Sequence, residues 1–307
     1  MPTPAAQRTR RIVLVLAVIL VLNLAVAIAK LAYGLHAHAL SIQADGLNSA
    51  LDSASNIIGI IGVLVSGRPP DANHPYGHRK YETFAALAVA LTMFVGCWEI
   101  ATAALERLRH PQLAHITSTG FVVLLVTIVI NIFVTLYERR EGERLRSEML
   151  TADAAHTGSD VFASLLVMAS FVATRYGITW ADVAAAALVV VLVLRAGFAV
   201  LKGTLSTLAD ERRMDPQLVE AAALEEPGVL EVHNVRSRGP LDDVHVDLHV
   251  LVDPAMPIAD AHAIGHAVEL RLRDRWPGFT DVVVHVEPGL ESERARVRDG
   301  GGLRADG

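Results

Sequence analysis

Apolar residues are unevenly placed along this chain. Nearly all of the long apolar runs lie before about residue 208, and beyond it the pattern changes to short strand-like and helix-like periods. A window of roughly 20 apolar residues is long enough for a helix to cross a bilayer core. Six such windows can be marked, at 12–33, 39–65, 84–105, 116–136, 149–174 and 180–201. They predict an α-helical membrane protein with six transmembrane helices. The first window is long, lacks a clear small-residue cleavage site and is followed by other spans, so it is expected to stay in the mature chain.

From Asp210 onward there are 20 acidic against 11 basic residues, a net of about −9, and the periods alternate. Asp215 followed by Pro216 is a good helix start, with Asp at the N-cap and Pro at the first helical position, and helical spacing runs on to about Leu224. Segments 229–235, 244–252 and 281–286 read as strands and 258–275 as an amphipathic helix. The order is α-β-β-α-β. Four regions follow: an N-terminal cytoplasmic tail at 1–11, the spans at 12–208, a soluble domain at 209–290 and a disordered tail at 291–307.

Composition supports the membrane reading, since 52% of residues are hydrophobic, only 20% are charged, and the mean hydropathy is +0.39. Basic residues set the expected orientation: Arg8, Arg10 and Arg11 precede the first span, Arg68, Arg79 and Lys80 follow the second, and Arg139, Arg140, Arg144 and Arg146 follow the fourth. Both termini are expected in the cytoplasm, although Arg107 and Arg109 after the third span weaken the contrast. Cys97 is the single cysteine, which excludes a disulfide framework and a thiolate metal cluster within one chain. No phosphate-cradling glycine loop is present, which argues against an ATP-driven pump. Neither nucleotide nor nucleic acid is expected as a partner.

Within the spans one pattern occurs twice. Asp45, Asn48 and Asp52 in the second span repeat in form as Asp153, His156 and Asp160 in the fifth, at offsets of 3, 4 and 7 that set each triplet on one helical face. A charged residue inside a span costs about 2.5 to 3.5 kcal/mol on insertion scales, so such faces turn inward and mark a pathway. If the two faces meet, Asn48, Asp52, His156 and Asp160 offer an amide oxygen, two carboxylates and an imidazole to a divalent cation. The bland alternative is that these groups cap or bridge helices, or line a wet cavity. Asp45 and Asp153 stand nearer the helix starts, where a carboxylate favours the dipole, and are left outside the ligand set.

A second cluster, Asp71, His74 and His78, lies in the link after the second span and has ordinary metal-ligand spacing. Its alternative is a polar loop. The soluble domain holds His233, His245, His249, His262, His266 and His285. Along one strand His245, Asp247 and His249 share a face opposite Val246, Leu248 and Val250, so the valine-rich side is the expected core. The polar side either gathers metal at a dimer contact or is solvated surface.

These features together resemble the cation diffusion facilitator family over about residues 12–290: the paired span motifs, the segment from His74 to Glu82 (His-Pro-Tyr-Gly-His-Arg-Lys-Tyr-Glu) and the α-β-β-α-β tail. The resemblance implies a homodimer of six-span subunits in the bacterial inner membrane, exporting divalent metal in exchange for protons, with a ferredoxin-like cytoplasmic domain that senses metal. It places the transport site on Asn48, Asp52, His156 and Asp160, and a loop site on Asp71, His74 and His78. A cytoplasmic binuclear site falls on His233, His249, His262, His285 and Glu287. Glu287 stands where Asp is common, and Asn48 where zinc-selective members usually have His or Asp. Zinc is expected first, with manganese, iron, cobalt and cadmium open. His156 is the favoured proton carrier, because only neutral imidazole binds metal.

Two rivals remain at this point. An intramembrane metalloenzyme would need an open metal position and a base, as in His-Glu-x-x-His, and no such motif occurs. A membrane-bound metal sensor or scaffold without transport would not explain ligands inside two spans. A secondary active transporter, not an enzyme, is expected.

Overall fold

The computed structural model describes residues 4–36, 40–109, 118–176 and 181–291. It forms two compact units, 1–205 and 206–307.

In the first unit six long helices are seen among the described residues: α1 (Pro4–His36), α2 (Leu40–Ser66), α3 (Lys80–Arg109), α4 (Ser118–Leu145), α5 (Glu148–Arg175) and α6 (Ala181–Leu208). Three contain segments apolar and long enough to cross a membrane, at Ala6–Ala32, Lys80–Thr102 and Ala184–Leu208. In α2 the run of that kind is shorter, Asp52–Ser66.

Helix α1 is apolar on two sides. Ile12, Val15, Leu16 and Ile19 pack inward against Val63, Ala85, Ala86, Val89, Met149 and Leu150, while Leu14, Val18, Val21 and Ile28 are exposed. A water-soluble bundle would bury both faces. Trp98 (72% exposed), Phe133, Val191 and Phe198 extend the outward apolar surface over α3, α4 and α6. Close helix approach depends on Gly62, where a Cβ would run into Ala85 of α3, as membrane helices use small residues at their contacts.

The helix starts at Pro4, inside the stretch expected as a tail, because its cations find partners. Arg8 Nη1 lies 2.9 Å from Glu82 Oε2, and Arg8 also donates to the carbonyls of Leu145 (2.8 Å) and Arg146 (3.0 Å). Ser147 Oγ donates to the other Glu82 oxygen at 2.5 Å. Arg11 and Arg144 both reach Glu141. One end of α1 is thus tied to the start of α3 and to the α4–α5 turn, where Arg146 takes a positive φ of 49°.

The second unit is α7 (Pro216–Leu224), β1 (Glu231–Arg238), β2 (Val244–Val252), α8 (Ile258–Arg275) and β3 (Phe279–Pro288). The Asp215 carboxylate accepts from the Gln217 backbone N–H at 3.1 Å, capping α7 as its sequence predicts. The sheet order is β1-β2-β3, with β1 antiparallel and β3 parallel to β2, and α8 supplies the crossover a parallel pair requires. Val246, Leu248 and Val250 are buried against Val219, Val268 and Leu272. β1 begins two residues later than its hydrophobic run suggests because Gly228, at φ 95°, turns the chain there, and a bulge after His233 carries pairing on to Arg238.

On the polar face His245 lies between two carboxylates, 3.8 Å from Asp243 and 3.4 Å from Asp281. The hydrogen bond to Asp243 is the largest effect and, with Asp281, holds the imidazole above its usual range against the opposing effect of burial. The folded chain therefore holds this proton more tightly than the unfolded chain. That stabilisation is complete below the unfolded value of about 6.5 and is lost as pH rises through the folded value. Calorimetry of the second unit's transition between about pH 6 and 8 is expected to show a fall that is smaller in His245→Gln, and equal slopes would contradict this assignment.

Candidate metal centres

Helices α2 and α5 bring Asp52, His156 and Asp160 together. His156 Nε2 is 3.4 Å from Asp52 Oδ1 and 3.9 Å from Asp160 Oδ2, and one ligand atom from each residue lies within 4.8 Å of the others. One nitrogen therefore faces two carboxylates, one from its own helix and one from α2. Asn48 stands on α2 one turn before Asp52, and its side chain, like that of Asp45, lies outside the described residues.

Asp153 stays out of this group, but for a different reason from the helix-dipole role expected of it. It is 2% exposed and accepts from Asn56 Nδ2 of α2 at 2.6 Å, while Asn56 Oδ1 accepts from Asn23 Nδ2 of α1 at 3.0 Å. Glu138 of α4, fully buried, faces Asp153 and Thr157. A polar row thus crosses four helices one turn away from His156. Lys30, buried in α1, donates to Ser49 Oγ of α2 at 3.1 Å. Sequence reasoning missed Asn23, Lys30, Asn56 and Glu138. Lys30 had a usable signal, as a lone cation inside an apolar window; the amides had none, because Asn is unremarkable without its partner.

In the link between α2 and α3, His74 Nδ1 is 3.2 Å from Asp71 Oδ1, and His78 Nε2 is 3.3 Å from Asp71 Oδ2. The two rings stand 4.3 Å apart. The backbone N–H groups of Asn73 and His74 both bond Asp71 Oδ1, and the one from His74 does most to hold this carboxyl below its usual range. The aspartate is therefore kept anionic between two imidazoles. His78 is buried, and its Nδ1 has no hydrogen-bond partner.

The cluster in the second unit follows from strand register. His233, His249 and His285 are consecutive cross-strand neighbours, one on each strand, with ring centroids 5.2 and 4.8 Å apart. Glu287 sits one step along the same side of β3. It reaches His249 Nδ1 at 2.8 Å, His233 Nε2 at 3.2 Å and His285 Nε2 at 3.5 Å. The longer arm of Glu lets one carboxylate reach from β3 to β1. Burial, the largest effect, holds His233 below its ordinary value and so in the neutral form a metal requires. His262 does not join this group: it lies on α8 with its ring against His266.

Apolar helices with outward apolar faces, and three clusters of His and carboxylate, define the class as a membrane-embedded protein that handles divalent metal cations. Two family models match, the cation efflux transmembrane domain over residues 16–209 and the cation efflux protein cytoplasmic domain over 213–289. The chain belongs to the cation efflux, or cation diffusion facilitator, family, whose members are transporters of divalent metal cations. An uncharacterised transporter of Methanocaldococcus jannaschii is 30% identical, over 86% of this chain and 94% of its own length. The cation-efflux pump FieF of Shewanella oneidensis is 29% identical over 84% of this chain and 88% of its own, and the manganese efflux system protein MneS of Bacillus subtilis 27% over 84% and 89%. A solved structure of a MamM-CTD variant is 27% identical over 24% of this chain and 94% of its own, with a TM-score of 0.24.

Proposed function

We propose that this protein is a homodimeric antiporter that carries a divalent transition metal, zinc first, out of the cytoplasm in exchange for protons. Six spans cross the bacterial inner membrane with both termini inside. The reading is carried by one observation: the convergence of Asp52, His156 and Asp160 from α2 and α5. Two carboxylates balance the charge of the ion, and a ligand set drawn from two helices can open to either side as those helices rock.

Protonation of His156 removes its lone pair, so a proton and the metal compete for the same nitrogen. That competition is the coupling. Metal arriving from the cytoplasm displaces protons from the site. On the far side, protons reclaim His156, with Asp52 or Asp160 sharing the load, and the metal leaves.

Asp71, His74 and His78 form a loop site beside the start of α3. In the second unit, His233, His249, His285 and Glu287 would hold a regulatory ion. The donor set fits one, with a buried neutral imidazole on His233 whose Nδ1 has no partner, and a carboxylate shared by three histidines. A bound ion there would supply positive charge to an acidic domain and favour its pairing with a second copy.

Asn48 is the ligand position that separates metals. Transport of zinc, manganese, iron, cobalt and cadmium by purified protein in proteoliposomes tests this directly. Asn48→His is expected to raise zinc transport relative to manganese by about 10-fold, because imidazole suits zinc and an amide oxygen suits harder ions. An unchanged ratio would move selectivity away from Asn48.

A further inference from the structure

Glu138 of α4 is fully buried, and neither of its carboxyl oxygens receives a hydrogen bond among the described residues. It faces Asp153 and Thr157 of α5, and Asp153 is buried as well. The cations around this end of α4 are engaged elsewhere: Arg11 and Arg144 reach Glu141, and Arg139 pairs with Glu143. Asp153 accepts from Asn56 Nδ2 at 2.6 Å. The charged groups of α2 and α5 that act on it from further away are Asp52 and His156, and neither forms an ion pair with it among the described residues.

Two facing carboxyl groups in a buried site do not both stay charged, because burial penalises each charge and each charge repels the other. A single proton between them removes the conflict. The hydrogen bond from Asn56 marks Asp153 as the charged acceptor, so the proton belongs on Glu138, which then has a donor's role toward Asp153. Asp153 also stands three residues before His156 on α5, on the same helical face. The Glu138–Asp153 pair is therefore one helical turn from the Asp52–His156–Asp160 group and responds to the charge there.

We propose that Glu138 and Asp153 hold one proton between them and form a second proton site of the exchange, emptied when a divalent ion occupies the Asp52–His156–Asp160 group. The inference rests on the exchange reading above and extends it to two residues that bind no metal. Replacing the His156 proton by a divalent ion adds a net positive charge to the interior of the helices, where uncompensated charge is costly. Loss of a proton from the pair cancels that charge, and the ion one turn away offsets the repulsion left between the two carboxylates. In this step the Glu138 O–H bond breaks, its electron pair stays on the carboxylate, and the proton passes to water. When the ion leaves, a proton returns to the pair.

The test counts protons released per protein as zinc is added to the purified full-length chain in weakly buffered detergent solution with a pH indicator. Asp52→Ala is expected to lower the count, which gives the share that belongs to exchange, since the loop and strand clusters contribute alike in every variant. Glu138→Gln keeps the side chain's shape and a donor toward Asp153 but carries no exchangeable proton. It is expected to lower the count by about one while zinc still binds. Infrared difference spectra of the unaltered protein give a second reading that needs no variant: a protonated-carboxyl band should be lost when zinc is added. An unchanged count in Glu138→Gln beside a lowered count in Asp52→Ala would overturn the inference and leave the exchange reading standing, as would the absence of any carboxyl band that zinc removes. An unchanged count in Asp52→Ala would overturn both.

Discussion

Asp52→Ala is expected to reduce metal transport in proteoliposomes by more than about 100-fold, beyond the 10- to 100-fold typical of losing an outer-shell partner. Asp52 is the one described ligand that α2 contributes, and the other two come from α5. Without it, the ion faces one carboxylate, one imidazole and the amide of Asn48, half of its charge is uncompensated, and no charged ligand is left on α2. His156 also loses the carboxylate 3.4 Å from Nε2. Transport that persists within a few-fold of normal would mean that metal crosses elsewhere.

The second large effect concerns stability. Glu82→Ala leaves Arg8 without its carboxylate, and removing one partner of a buried ion pair costs about 3 to 5 kcal/mol. The pair qualifies as buried, with side chains 11% and 6% exposed. Ser147 loses an acceptor in the same change, so the α4–α5 turn is loosened from α3 as well. Thermal unfolding in detergent should show a clear drop for Glu82→Ala. Arg8→Met combined with Glu82→Leu should recover much of it, because an apolar pair leaves no charge stranded. An Ala variant that melts like the original protein would show that the network adds nothing to stability.

The parts of this fold that are local in sequence were legible in it. Asp215 and Pro216 start α7, α8 runs over the residues its period marks, and alternation along β2 separates the valine face from the histidine face. The convergence of Asp52, His156 and Asp160 was legible too, because a carboxylate inside an apolar run is costly enough to need a reason, and two matching triplets supply one. What pairs distant positions was not. Arg8 and Glu82 are 74 positions apart, and Arg8 reads in sequence as a topology signal, although in the fold it is a packing partner. Asn56 gives no sign that it bridges Asn23 to Asp153. The histidine row across β1, β2 and β3 needs strand register, which a bulge and a parallel crossover set. The placement of His262 beside His266 needs only helical spacing.

The most direct measurement reads metal and pH inside the same sealed vesicles, for the original protein and for Asp52→Ala. With the original protein, metal entering the vesicles should be matched by protons leaving, and an imposed proton gradient should drive metal against its own. Both fluxes should stop together in Asp52→Ala. Metal entry with no proton movement, or metal entry that continues without Asp52, would contradict exchange at the Asp52–His156–Asp160 site.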